Sequence, residues 1–220
     1  MSHLDYCRGS DLCNEIAGRR DVSFNRVYEG EPASRVIAAD EVLLLLADMS
    51  PLVAGHLLLV PKQHYYSFAQ VLADHQSHVN RFLRQFCPLY EDTFGAPSIL
   101  EHGSSEEVDH SACITHAHWH IIPTYGALIK AQLSDDGLRP LALPDLDSLA
   151  HSRWCNTPYF FHSFGGCHYV YQNRPDLPRQ YLRSVVGRIL SIPDPEWDYA
   201  LIVRKHLLRD TMQLVKHWNL

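Results

Sequence analysis

In His116-Ala117-His118-Trp119-His120-Ile121-Ile122-Pro123, three histidines alternate with apolar residues before an Ile-Ile pair and a proline. A period of two is the period of a β-strand. On a strand His116, His118 and His120 share one face, and Ala117, Trp119 and Ile121 turn to the other, where a core can take them. A helix would scatter the same histidines over more than half its circumference. Histidine is only intermediate in its preference for burial, so three on one half-buried face point to chemistry more than to packing. Two chemistries fit the triplet alone. Three imidazoles can hold zinc with an open fourth position. Alternatively, the middle one can act as a nucleophile with its neighbours as hydrogen-bond donors to an anion.

Outward from the triplet, residues 42–47 (Val-Leu-Leu-Leu-Leu-Ala) read as a strand buried on both faces. Asp48-Met49-Ser50-Pro51 is a turn, and residues 55–61 form the next, antiparallel strand, ended by Pro61. Further strands are expected at 26–28, 34–37 and 97–100, the last leading into Glu101-His102-Gly103. Phe68, Val71, Leu72, Val79, Phe82, Leu83 and Phe86 follow helical spacing and place a helix over 68–86. Residues 104–111 form a polar, acidic loop. Beyond 126 the pattern weakens. A short helix is expected at 146–151, strands at 159–161 and 169–171 around Gly165-Gly166, a helix over 178–189, and a last helix with Asp210 as its N-cap.

The totals narrow the classes. The 220 residues are 46% hydrophobic and 20% charged, ordinary for a soluble globular protein. A net charge of −6 argues against a nucleic-acid polymer as partner, but not against a small phosphorylated substrate. The amino terminus lacks the apolar core of a signal peptide, and the most apolar region, 42–60, is broken by Asp48, Pro51, Gly55 and His56. The six cysteines show no framework spacing. A cytoplasmic protein without a membrane partner is expected.

Residues 13–125 resemble the histidine-triad (HIT) family of nucleotide-binding hydrolases and transferases. Cys13-Asn14-Glu15-Ile16-Ala17-Gly18 is similar to its amino-terminal start. Asp48 through Gly55-His56 to Pro61-Lys62-Gln63-His64 is similar to its strand-turn-strand signature, and His116 to Pro123 to its H-x-H-x-H-x-x-P motif. The resemblance implies an α+β fold, a bent antiparallel sheet with a long packed helix. Residues 1–126 would form that nucleotide-binding domain and 127–220 a mixed extension packed on it. Glu101-His102-Gly103 and the extension resemble a longer, bacterial-type branch.

Chemically, the resemblance implies attack by His118 on the α-phosphorus of a nucleotide conjugate. His120 would serve the phosphate and bridging oxygen, with His116 as the third member. Asp48 would bind the ribose diol and His56 support the triad. Cys113 stands where relatives carry a phosphate-binding serine, and a thiol is a weaker donor. Some relatives hold a structural zinc; here Cys13, His64 and His116 match its ligands, with Cys7 or a carboxylate such as Asp11 as the fourth. In the extension, Gln180 and Arg183 stand at i, i+3 on an expected helix, and Arg183 is a candidate for the non-nucleoside part of the substrate. Hydrolysis is the first reading, and transfer or phosphorolysis to a non-water acceptor the second. A non-catalytic nucleotide- or zinc-binding protein is the third. A homodimer is compatible with each.

Overall fold

Among the residues described by the computed structural model, 10–106 and 114–220, eight strands form one antiparallel sheet. They are β1 (Val36–Ala39), β2 (Leu43–Ala47), β3 (Leu57–Pro61), β4 (Pro97–Gly103), β5 (Trp119–Pro123), β6 (Leu141–Leu143), β7 (Tyr159–Phe164) and β8 (Cys167–Gln172). Their spatial order is β1-β2-β3-β5-β4-β7-β8-β6. Residues beyond 126 therefore do more than pack on the sheet. β7 pairs with β4 from Ser98↔Phe164 to Gly103↔Tyr159, and the sheet continues without a break into β8 and β6.

Seven α-helices and the short 3-10 helix Asp147–Ala150 accompany the sheet among the described residues; the α-helices are α1 (Asp11–Ile16), α2 (Ser23–Tyr28), α3 (Phe68–Phe94), α4 (Gly126–Asp135), α5 (Ser152–Cys155), α6 (Tyr181–Ile189) and α7 (Lys205–Val215). The long α3 buries Phe68, Val71, Leu72, Val79, Phe82, Phe86 and Tyr90. It outruns the expected end at Phe86 and contains Pro88, which forfeits a backbone hydrogen bond. Tyr90 and Phe94 beyond it pack against Trp218, and that aromatic contact holds the last turns.

Three expectations are corrected. Residues 26–28 are helical, because Phe24 and Tyr28 at i, i+4 are both buried and stack at 4.8 Å. The last helix starts at Lys205, not Asp210: Leu208, Thr211 and Val215 form its buried stripe and draw in the preceding turn, leaving Asp210 exposed within it. In the histidine stretch the ladder begins only at Trp119, after His116 and His118. The weak pattern after 126 is the regular helix α4, which buries Ile129 and Leu133 at i, i+4.

Strand alternation gives the sheet two apolar faces. Leu43, Leu45, Leu57, Leu59, Ile99, Trp119, Ile121 and Phe161 face α3 in the main core. On the opposite face Leu44, Leu46, Leu58 and Val60 pack with Leu12 of α1. Further along that face Leu100, Ile122 and Phe160 pack with residues of α4 and α6. Between these two patches runs the start of β5. On the α3 side, the buried Glu101 carboxylate accepts from the Phe68 amide (2.7 Å), the Tyr159 hydroxyl (2.7 Å) and the Trp119 indole (3.2 Å). It thus joins α3, β7 and β5, and burial without a cation pushes its pKa up to about 7. No helix of the described residues is long and apolar enough to cross a membrane.

Candidate active site

Side-chain parity assembles the site. Leu58 pairs with His120, and the ladder continues from Ala47↔Leu57 to Asp48, whose amide donates to the His56 carbonyl. Asp48, His56, His118 and His120 therefore lie on the face of Leu44, Leu46, Leu58 and Val60, in the gap between the two apolar patches. The His118 and His120 rings stand 4.9 Å apart at 79°, and those of His56 and His120 5.1 Å apart. His116 turns away from this group towards Cys13 and His64.

Hydrogen bonds define the tautomers. His118 Nδ1 lies 2.8 Å from the His116 carbonyl, which can only accept, so Nδ1 carries the proton and Nε2 a lone pair. The Leu52 amide donates to His56 Nδ1 at 3.2 Å, so His56 holds its proton on Nε2. That Nε2 donates to His120 Nδ1 at 2.9 Å, leaving His120 with its proton on Nε2. The result is a nucleophilic nitrogen on His118 beside a donor nitrogen on His120. Burial lowers the pKa of both; Asp48 opposes the shift, for His118 together with the His116 carbonyl, and Arg183 adds to it. Both imidazoles are neutral near pH 7.

Asp48 is buried; its Oδ1 accepts from the Ser50 amide at 2.8 Å. Its Oδ2 lies 3.7 Å from His56 Nε2 and 3.8 Å from His120 Nδ1. Burial alone would push the carboxyl up. His56, Arg183, His120 and Arg35 outweigh it and hold the pKa well below the usual range, and at neutral pH only the two guanidinium groups keep their charge. Arg183 of α6 is itself buried, 3.5 Å from Asp48 Oδ1, and donates to the carbonyls of Ser50 (2.7 Å) and Trp197 (3.2 Å). Arg35 forms a two-pronged pair with Glu15 of α1 at 2.8 and 2.7 Å and donates to the Ala47 carbonyl.

Beside this group Cys13 Sγ lies 3.1 Å from His116 Nδ1 and 3.3 Å from His64 Nδ1. His116 Nε2 is 2.8 Å from the Pro61 carbonyl, so its proton is on Nε2 and its lone pair faces the sulfur. A neutral imidazole with its outer N–H on a carbonyl is how protein zinc ligands are oriented. A zinc tetrahedron with usual bond lengths puts sulfur and nitrogen about 3.5 Å apart. The Cys13, His64 and His116 ligand atoms, within 4.8 Å of one another, fit three corners of it. Asp11 is turned away, its carboxylate accepting from the Ser23 amide at 3.1 Å. Cys7 lies outside the described residues, as does Cys113 of the expected phosphate-binding position.

A HIT domain profile matches residues 29–127. An uncharacterized HIT-like protein of Methanocaldococcus jannaschii is 28% identical over 114 residues, covering 49% of this chain and 84% of that protein. Protein hit of Bacillus subtilis is 32% identical over 107 residues, covering 47% of this chain and 70% of its own length. The chain belongs to the HIT family. A crystal structure of a HIT family protein from Bacillus anthracis is similar over 54% of this chain and 74% of that one, at 21% identity and a TM-score of 0.39.

The HIT domain as matched holds Asp48, His56, His64, His116, His118 and His120, whereas Cys13 and Arg183 reach them from either side of it. Gln180 does not share a helix face with Arg183. It is the left-handed N-cap of α6, and its amide donates to Asp198. Sequence reasoning missed Arg35, whose partners lie in α1 and β2, and His102, whose place on β4 only the strand register reveals.

Neutral buried histidines make the HIT domain and its extension sensitive to acid. Burial lowers His56 and His102 to about 4 and His162 to about 3, against about 6.5 in an unfolded chain. A lowered pKa gives stability that is full above the unfolded value and lost as pH falls through the folded one. Stability is therefore expected to drop by several kcal/mol between about pH 6.5 and 4. Glu101, with its pKa raised to about 7, has the opposite sign and offsets only part of this. Denaturation midpoints at pH 7.5 and 5.0 check it, and equal midpoints would contradict it.

Proposed function

We propose that this HIT protein hydrolyses a nucleotide conjugate at its α-phosphate through a nucleotidyl-histidine intermediate on His118. The observation that carries the reading is the tautomer pattern: His118 Nε2 presents a lone pair, and His120 Nε2 presents a proton beside it. His118 Nε2 attacks phosphorus as the bond to the leaving oxygen breaks. The leaving oxygen takes the bonding pair and departs as an anion that accepts a hydrogen bond from His120 Nε2–H, which keeps its proton. The His116 carbonyl stabilises the charge that builds on the His118 ring. Water then attacks phosphorus and loses a proton to solvent, the N–P bond breaks, and its electron pair returns to Nε2. Asp48 Oδ2 accepts from the ribose hydroxyls, its ionised state supported by Arg183 and Arg35. Glu101-His102-Gly103 and the strands after 126 support placement in a longer branch of the family.

The test is turnover of the 4-nitrophenyl esters of AMP, GMP, UMP and CMP, each with water alone and with added phosphate. Release of 4-nitrophenolate with a free nucleoside monophosphate as product is expected. No release from any ester would contradict the reading. A product carrying the added phosphate would make it a phosphorylase.

Cys13, His64 and His116 would hold a structural zinc, which supplies a cross-link between α1, the loop after β3 and the approach to β5. His116 is then committed to the metal, while its carbonyl remains the partner of His118. Close to one equivalent of zinc is expected by elemental analysis of protein purified without added metal, and Cys13→Ser should lose it. Less than about a tenth of an equivalent would contradict the site, given the tight binding of structural zinc.

A further inference from the structure

His102 belongs to β4, and the register places it beside the reacting centre. Pro97↔Pro123, Ser98↔Ile122, Ile99↔Ile121 and Leu100↔His120 pair β4 with β5. The ladder ends there, and its alternation continued by two residues brings His102 towards His118, on the face of His118 and His120. On its other side His102 pairs with Phe160, whose ring lies 4.6 Å away. Its Nε2 is buried and has no hydrogen-bond partner among the described residues. A buried polar nitrogen left without a partner costs about 1–3 kcal/mol. Such an atom calls for an explanation, and a ligand that completes the hydrogen bond supplies one. His162, one strand over, also lacks partners, but it is fully buried on the face that α4 covers, whereas His102 keeps partial exposure.

We propose that His102 is a fourth histidine of the reacting centre, and that its Nε2–H donates to a non-bridging oxygen of the phosphoryl group attacked by His118. The proposal rests on the reading of His118 as nucleophile. Position decides which oxygen. His120 follows His118 along β5 and takes the leaving oxygen, while Asp48, with His56, approaches from the β2–β3 side to take the ribose. His102 comes from β4, across β5 from them, where the equatorial oxygens of the phosphorus would face. Burial, with the nearby His118, holds the His102 pKa at about 4, so the ring acts as a neutral donor. In the proposed complex its proton is on Nε2 and stays there, and no bond to His102 forms or breaks.

The test uses single-turnover formation of the covalent adduct by the full chain. The substrates are the fastest of the four 4-nitrophenyl esters and its two phosphorothioate diastereomers. His102→Ala and His102→Leu, which lack a donor, should slow adduct formation about 10²-fold, the usual loss for one oxyanion donor. His102→Gln, whose amide can donate, should stay within about tenfold of wild type by the same measure. Sulfur accepts hydrogen bonds weakly. The loss in His102→Ala should therefore shrink about tenfold for the one diastereomer whose sulfur faces position 102. A structural role would not discriminate between diastereomers, and unfolding midpoints of all three variants should match or exceed wild type. If wild type forms the adduct and the Ala and Leu variants form it equally fast, or lose equally on both diastereomers, the proposal is overturned. Absence of the adduct in wild type would instead overturn the reading of His118.

Discussion

His118→Ala is expected to slow turnover of the nucleotide 4-nitrophenyl esters by on the order of 10⁴-fold or more, while the nucleoside monophosphate still binds. The size follows from the role. His118 offers the Nε2 lone pair at the centre of the group, and its Nδ1 proton is fixed on the His116 carbonyl. His120 cannot take over, because its Nδ1 accepts from His56 and its Nε2 carries a proton. Binding should survive because Asp48 keeps its bond to the Ser50 amide and its neighbour Arg183. Steady-state rates and equilibrium dialysis with the monophosphate measure the two effects. A variant within tenfold of wild type would remove the covalent route.

Arg183→Ala is expected to cost about 3–5 kcal/mol of stability, the usual result of removing one partner of a buried ion pair. Arg183 is almost wholly inside, and its guanidinium donates to two carbonyls besides facing Asp48. Without it the Asp48 carboxylate keeps its burial and loses a permanent positive neighbour. The double variant Arg183→Met with Asp48→Asn removes both charges and should recover a large part of the loss. Chemical denaturation decides this: a loss below about 1 kcal/mol would place the pair among weakly coupled ones. On substrates, equal loss of activity with full and truncated leaving groups would assign Arg183 to supporting Asp48. A larger loss on the full substrate would assign it to the leaving group.

The parts legible in the sequence are those whose signal is local. The period of two around His118 and His120, the Leu-rich strands either side of Asp48, and the apolar stripe of α3 each sit within a few residues and survive translation into structure. Short or mixed patterns fared worse. Residues 26–28 look like a strand until the Phe24–Tyr28 contact is considered, and the start of α7 depends on Leu208, which precedes the attractive cap at Asp210. His116 departs from the strand because it is drawn to Cys13 and Pro61, far away in the chain. The same distance hid the Arg183–Asp48 pair and the clamp of Arg35 on Glu15. Contacts made across 135 and 20 residues leave no periodicity. His102 was in plain view within Glu101-His102-Gly103, but only the pairing of β4 with β5 sets it beside His118.

The central claim is a covalent bond between His118 and a nucleotide. Intact-protein mass measurement, on wild type mixed with the fastest ester and quenched within one turnover, tests it most directly. The expected result is a species heavier by one nucleotidyl group, localised by peptide mapping to His118, labile in acid as a phosphoramidate is, and absent from His118→Ala. Rapid turnover with no such species at any quench time, or an adduct mapped to a residue other than His118, would contradict it.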